Sequence, residues 1–160
     1  MLKRYSWQIL CCILLIVIFI FGYHHLQNKE AVQRMVERTV YGELVHLHHF
    51  IDYNEQNDWK DPDLVTNRLL TLIYTNLQIS IFLRESSYSF EEVEHIISEL
   101  YFELTPYSIK QVGTEEEKLL FSQLKNYLEE AKITNDQSLD IDYDERIKRV
   151  EYLIELLRQD

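Results

Sequence analysis

Glycine, proline, alanine and cysteine are nearly missing from this 160-residue chain, which holds three Gly, two Pro, two Ala and two Cys. So few turn formers leave little with which to close the tight hairpins of a many-stranded sheet. The two cysteines are neighbours, Cys11 and Cys12, so no disulfide or thiol chemistry is available beyond residue 12. The chain contains no glycine-rich phosphate loop, no His-Glu-x-x-His pair and no Gly-x-Ser-x-Gly elbow, the patterns that cradle phosphate, ligate zinc or expose a nucleophile. Adjacent carboxylates such as Glu91 and Glu92, or Glu115 to Glu117, sit at expected helix starts, where they complement the macrodipole. No catalytic or cofactor-binding residue is expected, and the chain does not read as an enzyme.

Basic charge is scarce as well. Sixteen Lys and Arg face 27 Asp and Glu. Beyond residue 23 the balance is 14 basic residues against all 27 acidic ones. A field of that sign repels phosphate backbones, so nucleic acid is not an expected partner.

What the chain does have is one long uncharged run. "YSWQILCCILLIVIFIFGY", Tyr5 to Tyr23, carries no charge, and its nineteen residues as a helix span about 28 Å, close to the roughly 30 Å hydrocarbon core. Tyr5, Trp7 and Tyr23 flank it, where amphipathic rings favour headgroups. A buried core helix would carry a polar stripe, and a cleaved signal peptide would be followed by small residues. "FGYHHLQNKE" follows instead. Residues 1–23 are therefore expected to be an uncleaved transmembrane signal-anchor. Lys3 and Arg4 favour a cytoplasmic N-terminus and an acidic domain, residues 24–160, outside the cell membrane.

The rest of the apolar pattern is helical. Val36, Val40, Leu44, Leu47 and Ile51 recur at spacings of three and four, the stripe of a first helix. "YNEQNDWKDPD" reads as a loop, and Asp61-Pro62 opens a second helix to about Arg84. Its later part, "LQISIFL", alternates like a strand, but length and continuity favour helix. "SFEE" at Ser89 and "TEEE" at Thr114 are capping boxes opening a third helix, ended by Pro106, and a fourth. A fifth is entered near Asp142, with Ile147, Val150, Leu153, Ile154 and Leu157 on one side. The expected class is all-α: an N-terminal transmembrane helix, then an antiparallel bundle of four to five helices joined by short loops.

Two clusters invite chemistry. "HLHH" places His46, His48 and His49 on the first helix. At about 100° per residue, His49 points away from the apolar stripe and the other two fall on its flanks. They cannot converge on one ion, and His95 is the only histidine beyond the first helix; no metal ligand is expected. A softer reading makes the membrane-proximal histidines a pH sensor. "DIDYDERIKRVE" sets Asp140, Asp142, Asp144 and Glu151 at calcium-loop positions, but the required sixth-position Gly is Glu145. An acidic helix start is the better reading. Tyr101, Phe102 and Tyr107 cluster near Pro106, where aromatics can mark a contact surface.

These readings converge on a single-pass, membrane-anchored helical protein that works by binding another protein at the cell envelope. The alternative is an extracytoplasmic sensor or ligand-binding bundle signalling through a partner.

Overall fold

A computed structural model describes residues 27, 30–32, 34–36, 38–85, 90–108, 114–134 and 141–159. The Tyr5–Tyr23 run and the Ser89 cap lie outside the described residues. Among those described, no helix is long and apolar enough to cross a membrane, and no residue is in a strand. The chain divides into two compact units, Met1–Arg34 and Met35–Asp160. In the first, Glu30 and Arg34 pair one turn apart at 3.6 Å, both exposed.

The second unit is a bundle of five helices. They are α1 (residues 38–56, with 35 and 36 also helical), α2 (Pro62–Glu85), α3 (Glu91–Ser108), α4 (Glu115–Glu130) and α5 (Tyr143–Leu157). The core is the meeting of their apolar stripes. Val36, Val40, Leu44, Leu47 and Ile51 are all buried, and Tyr41, Val45 and His48 widen the arc. The arc is wide because α1 is gripped by three other helices. Glu43 pairs with Arg68 of α2 at 2.8 Å. Asp52 and Glu55 hold Lys125 of α4. Arg149 of α5 donates to the Tyr41 hydroxyl at 3.3 Å.

Helix ends follow local chemistry. Thr114 caps α4 in a reciprocal box: its hydroxyl accepts the Glu117 N–H, and the Glu117 carboxylate accepts the Thr114 N–H. Asp142 caps α5 by accepting from the Glu145 N–H at 2.9 Å. α4 stops in a Schellman motif, with Ile133 N–H on the Leu128 carbonyl and Lys132 N–H on that of Glu129. The left-handed position of that motif usually belongs to glycine. Here Lys132 occupies it at φ 59°.

Two boundaries differ from the sequence expectation. α1 runs past Tyr53 to residue 56 because Asn54 is fully buried. Its amide donates to the Phe50 carbonyl at 3.0 Å, and its side-chain oxygen accepts the Asp61 N–H at 3.2 Å. The stretch expected as a loop is thus clamped to the helix, which ends on consecutive left-handed residues, Asp58 and Trp59, each at φ 54°. Pro106 does not end α3, which continues to Ser108. The bond Pro106 cannot make is the one to the Phe102 carbonyl, and both residues lie on the exposed side, where water can take the carbonyl.

Candidate functional site

The histidines separate. His46 and His49 are exposed, whereas His48 retains 7% exposure. Its Nε2 lies 3.3 Å from Glu129 Oε1 across the α1–α4 seam, and its ring meets that of His49 edge-on with centroids 5.8 Å apart. His95 is on α3, 3.5 Å from Glu99 of its own helix. Among the described residues no group of three or more His, Cys, Asp or Glu is placed to hold a metal ion.

Among the described residues the α1–α4 seam gathers Asp52, Glu55 and Glu129 around Lys125. Lys125 Nζ donates to Asp52 at 2.7 Å and to Glu55 at 2.6 Å, with Glu129 at 3.7 Å. Burial works to lower the Lys125 pKa, but the bonds to Asp52 and Glu55 outweigh it and carry it above the ordinary lysine value. The hydrogen bond from Lys125 holds Asp52 below its ordinary value against burial, which works upward. A cation permanently charged and enclosed by carboxylates is a fastener, not an acid or base poised near neutrality. Of the calcium-loop candidate, Asp140 lies outside the described residues. Asp142 is spent as a cap, and the neighbouring Arg146 is buried, with its guanidinium on the Ile141 carbonyl.

The open feature lies elsewhere, on α2. Between Arg68 and Arg84 the helix reads "LLTLIYTNLQISIFL", fifteen residues without a charge, in a chain of which 27% is charged. One side of that run is buried: Leu69, Leu72, Ile73, Asn76, Ser80 and Leu83. The opposite side is not. Tyr74 is 65% exposed, Phe82 49% and Ile81 43%. Seven residues are nearly two full turns, so Tyr74 and Ile81 stand in line, and Phe82 stands one turn beyond Gln78.

Beside this ridge lies an open groove of about 600 Å³, walled by Met35, Val36 and Thr39 of α1 and by Leu70, Tyr74 and Ile79 of α2. Met35 is itself 57% exposed. Its polar lining is Thr39, Asn67, Thr71, Thr75 and Gln78. The Thr39 hydroxyl donates to the Met35 carbonyl and that of Thr71 to the Asn67 carbonyl, at 2.8 and 2.9 Å. Each is spent on its own helix. The groove and ridge form a neutral, largely apolar surface on an otherwise acidic molecule. By contrast, the aromatics near Pro106 are divided, with Phe102 exposed, Tyr101 half-buried and Tyr107 buried.

The aromatics near Pro106 stood out in the sequence, and those of α2 did not. The signal for the α2 surface was present in its charge-free run, but apolar residues on both sides of a helix do not reveal which side is left uncovered.

The described residues form an all-α bundle with an open, uncharged groove. Comparisons with family models, with curated proteins and with solved structures yield no match to this chain.

Proposed function

We propose that this chain is a single-pass membrane protein whose acidic helical bundle binds protein through the outer face of α2, and that it is not an enzyme. The anchor is Tyr5 to Tyr23, charge-free and of membrane-spanning length. Lys3 and Arg4 direct the N-terminus to the cytoplasm and the bundle to the extracytoplasmic side. Short connections between helices make the bundle antiparallel and up-and-down. The observation that carries the reading is the exposure of Tyr74, Ile81 and Phe82 on a helix face without charge. Contiguous apolar surface of that kind is where proteins meet one another.

A ligand-binding sensor is the competing class. It would need polar groups converging in the groove; Asn67, Thr75 and Gln78 line it, but most of its exposed wall is apolar, and the Thr39 and Thr71 hydroxyls are tied to their own helices. Protein contact is the better reading.

The test is photo-crosslinking of the full chain in intact cells, with the reactive group at Tyr74 and a control at Glu116, an exposed position on α4. Adducts of defined mass are expected from Tyr74 and not from Glu116. No adduct from Tyr74, or the same adducts from both, rejects the reading. Intact-mass measurement of the membrane fraction checks the anchor: the mature chain should retain Met1 to Tyr23.

A further inference from the structure

From the geometry we infer that the partner covering the outer face of α2 is a second copy of this chain, paired about a two-fold axis near Gln78. The inference rests on reading that face as a contact surface, and it names the occupant.

Charge is the first argument. The chain carries −11 at neutral pH, so two copies repel wherever their charged surfaces meet. The run from Leu69 to Leu83 is charge-free, and its outer side is where two acidic bundles can approach without opposing like charges. A face without charge also offers an acidic or a basic partner nothing to select. An isologous contact needs no such selection, only a patch that complements itself.

Shape is the second. The ridge of Ile81 and Phe82 and the groove beside Tyr74 lie on the same side of one helix. With α2 antiparallel to its copy and the axis at Gln78, a residue four positions after the axis meets one four positions before it. Phe82 of each copy then enters the groove of the other beside Tyr74, and Ile81 meets Thr75. The nearest outward charge, Glu85, meets Thr71, not another charge. A groove of about 600 Å³ has room for the incoming Phe82 and Ile81.

Area is the third. Met35, Tyr74, Ile81 and Phe82 together leave roughly 500 Å² of side-chain surface in water, given the size of aromatic and aliphatic side chains. A stable interface buries about 800 Å² per partner. The remainder comes from the groove walls, from the partly buried Leu70 and Ile79 together with the exposed Asn67, Thr71 and Gln78.

The experiment uses the full chain in detergent micelles with Cys11→Ser and Cys12→Ser, so that an added cysteine is the only thiol. Gln78→Cys should form an intermolecular disulfide on mild oxidation, many-fold faster than Glu116→Cys. Phe82→Glu should weaken self-association by about thirty-fold or more, the loss expected of a central anchor residue. In dilute solution, where both are monomers, its thermal unfolding should stay close to that of the parent, since Phe82 is already half in water. A parent chain that stays monomeric at tens of micromolar overturns the inference. So does a dimer indifferent to Phe82→Glu, or equal disulfide rates at the two positions. The Tyr74 crosslink separates this inference from the function proposed above. An adduct of twice the chain mass supports both; an adduct of another mass overturns self-pairing and leaves the contact surface standing. No adduct rejects both.

Discussion

α2 and α4 are both amphipathic by address and opposite in execution. α4 spends seven of its sixteen residues on charge and buries only Phe121, Leu124 and Leu128. Its charges either face water or close the seam with α1, as Lys125 does with Asp52 and Glu55. α2 has four charged residues in 24. Its buried side includes Asn76 and Ser80, while its open side shows Tyr74, Ile81 and Phe82. Ser80 is matched by Ser98 and Glu94 of α3 at 3.0 and 3.2 Å. The Asn76 amide is buried with no hydrogen-bond partner among the described residues. α4 leaves one large apolar side chain in water, Leu119, whereas α2 leaves four, Leu64, Tyr74, Ile81 and Phe82.

The comparison can be broken most sharply within α2 itself. Leu69→Ala removes a fully buried side chain and should cost about 3 kcal/mol. Tyr74→Ser on the open side should change stability by less than about 0.5 kcal/mol. Denaturant unfolding in dilute solution, where the chain is on its own, checks both. Equal costs would mean that the open side is covered within the chain.

Next comes the charged seam. Lys125→Met strands Asp52 and Glu55 beside each other and should cost about 2 kcal/mol at neutral pH, below the fully buried range because these carboxylates keep some water. Asp52 has its folded pKa below the ordinary 3.8, so its share of the stability is present above about pH 4 and is lost as acid protonates it. Glu94 and Glu99 are lowered as well, each chiefly by an arginine hydrogen bond, from Arg84 and Arg158. The parent should therefore hold its stability from neutrality to about pH 5 as far as these groups decide it, and lose it below about pH 4. The gap between parent and Lys125→Met should narrow over the same acid range, as read from melts at a series of pH values.

The histidines give a smaller contrast. His48→Gln should cost about 1 kcal/mol at neutral pH, through the lost packing and the bond to Glu129. His46→Gln and His49→Gln should each stay within about 0.5 kcal/mol. Three equal results would mean that the seam at His48 contributes nothing. Smallest is a gain: Lys132→Gly relieves a left-handed backbone held by a side chain and should raise stability by just under about 1 kcal/mol. The Lys132 carbonyl, which accepts from Arg149 at 2.8 Å, is backbone and survives the change.

Much of the architecture is legible residue by residue. Periodicity of 3.6 is a one-dimensional signal, so the buried stripe of α1 from Val36 to Ile51 could be read directly. Caps are equally local. Thr114 with Glu117, and Asp142 with Glu145, involve groups three residues apart. No distant contact is needed to place them. Where expectation failed, a distant group intervened. Asn54 extends α1 because it reaches Asp61 across the turn. Pro106 is an exception to that rule: it and Phe102, whose carbonyl loses its helical partner, both lie on the exposed side, where the loss costs little.

Composition, spacing and adjacent capping groups are properties of the strand of residues. They suffice for the helical character of the described residues, for most helix starts, for the acidic balance and for the one nineteen-residue charge-free run. Only the tertiary structure decided which of three neighbouring histidines is buried, that Lys125 joins α1 to α4, and which side of α2 stays open. Those outcomes depend on which helices meet, and pairing between residues seventy or more apart, such as Lys125 with Glu55 or His48 with Glu129, leaves no trace in local periodicity. Tyr74 and Leu72 look alike along the chain. The burial of one and the exposure of the other follow from which sides of α2 its neighbours cover.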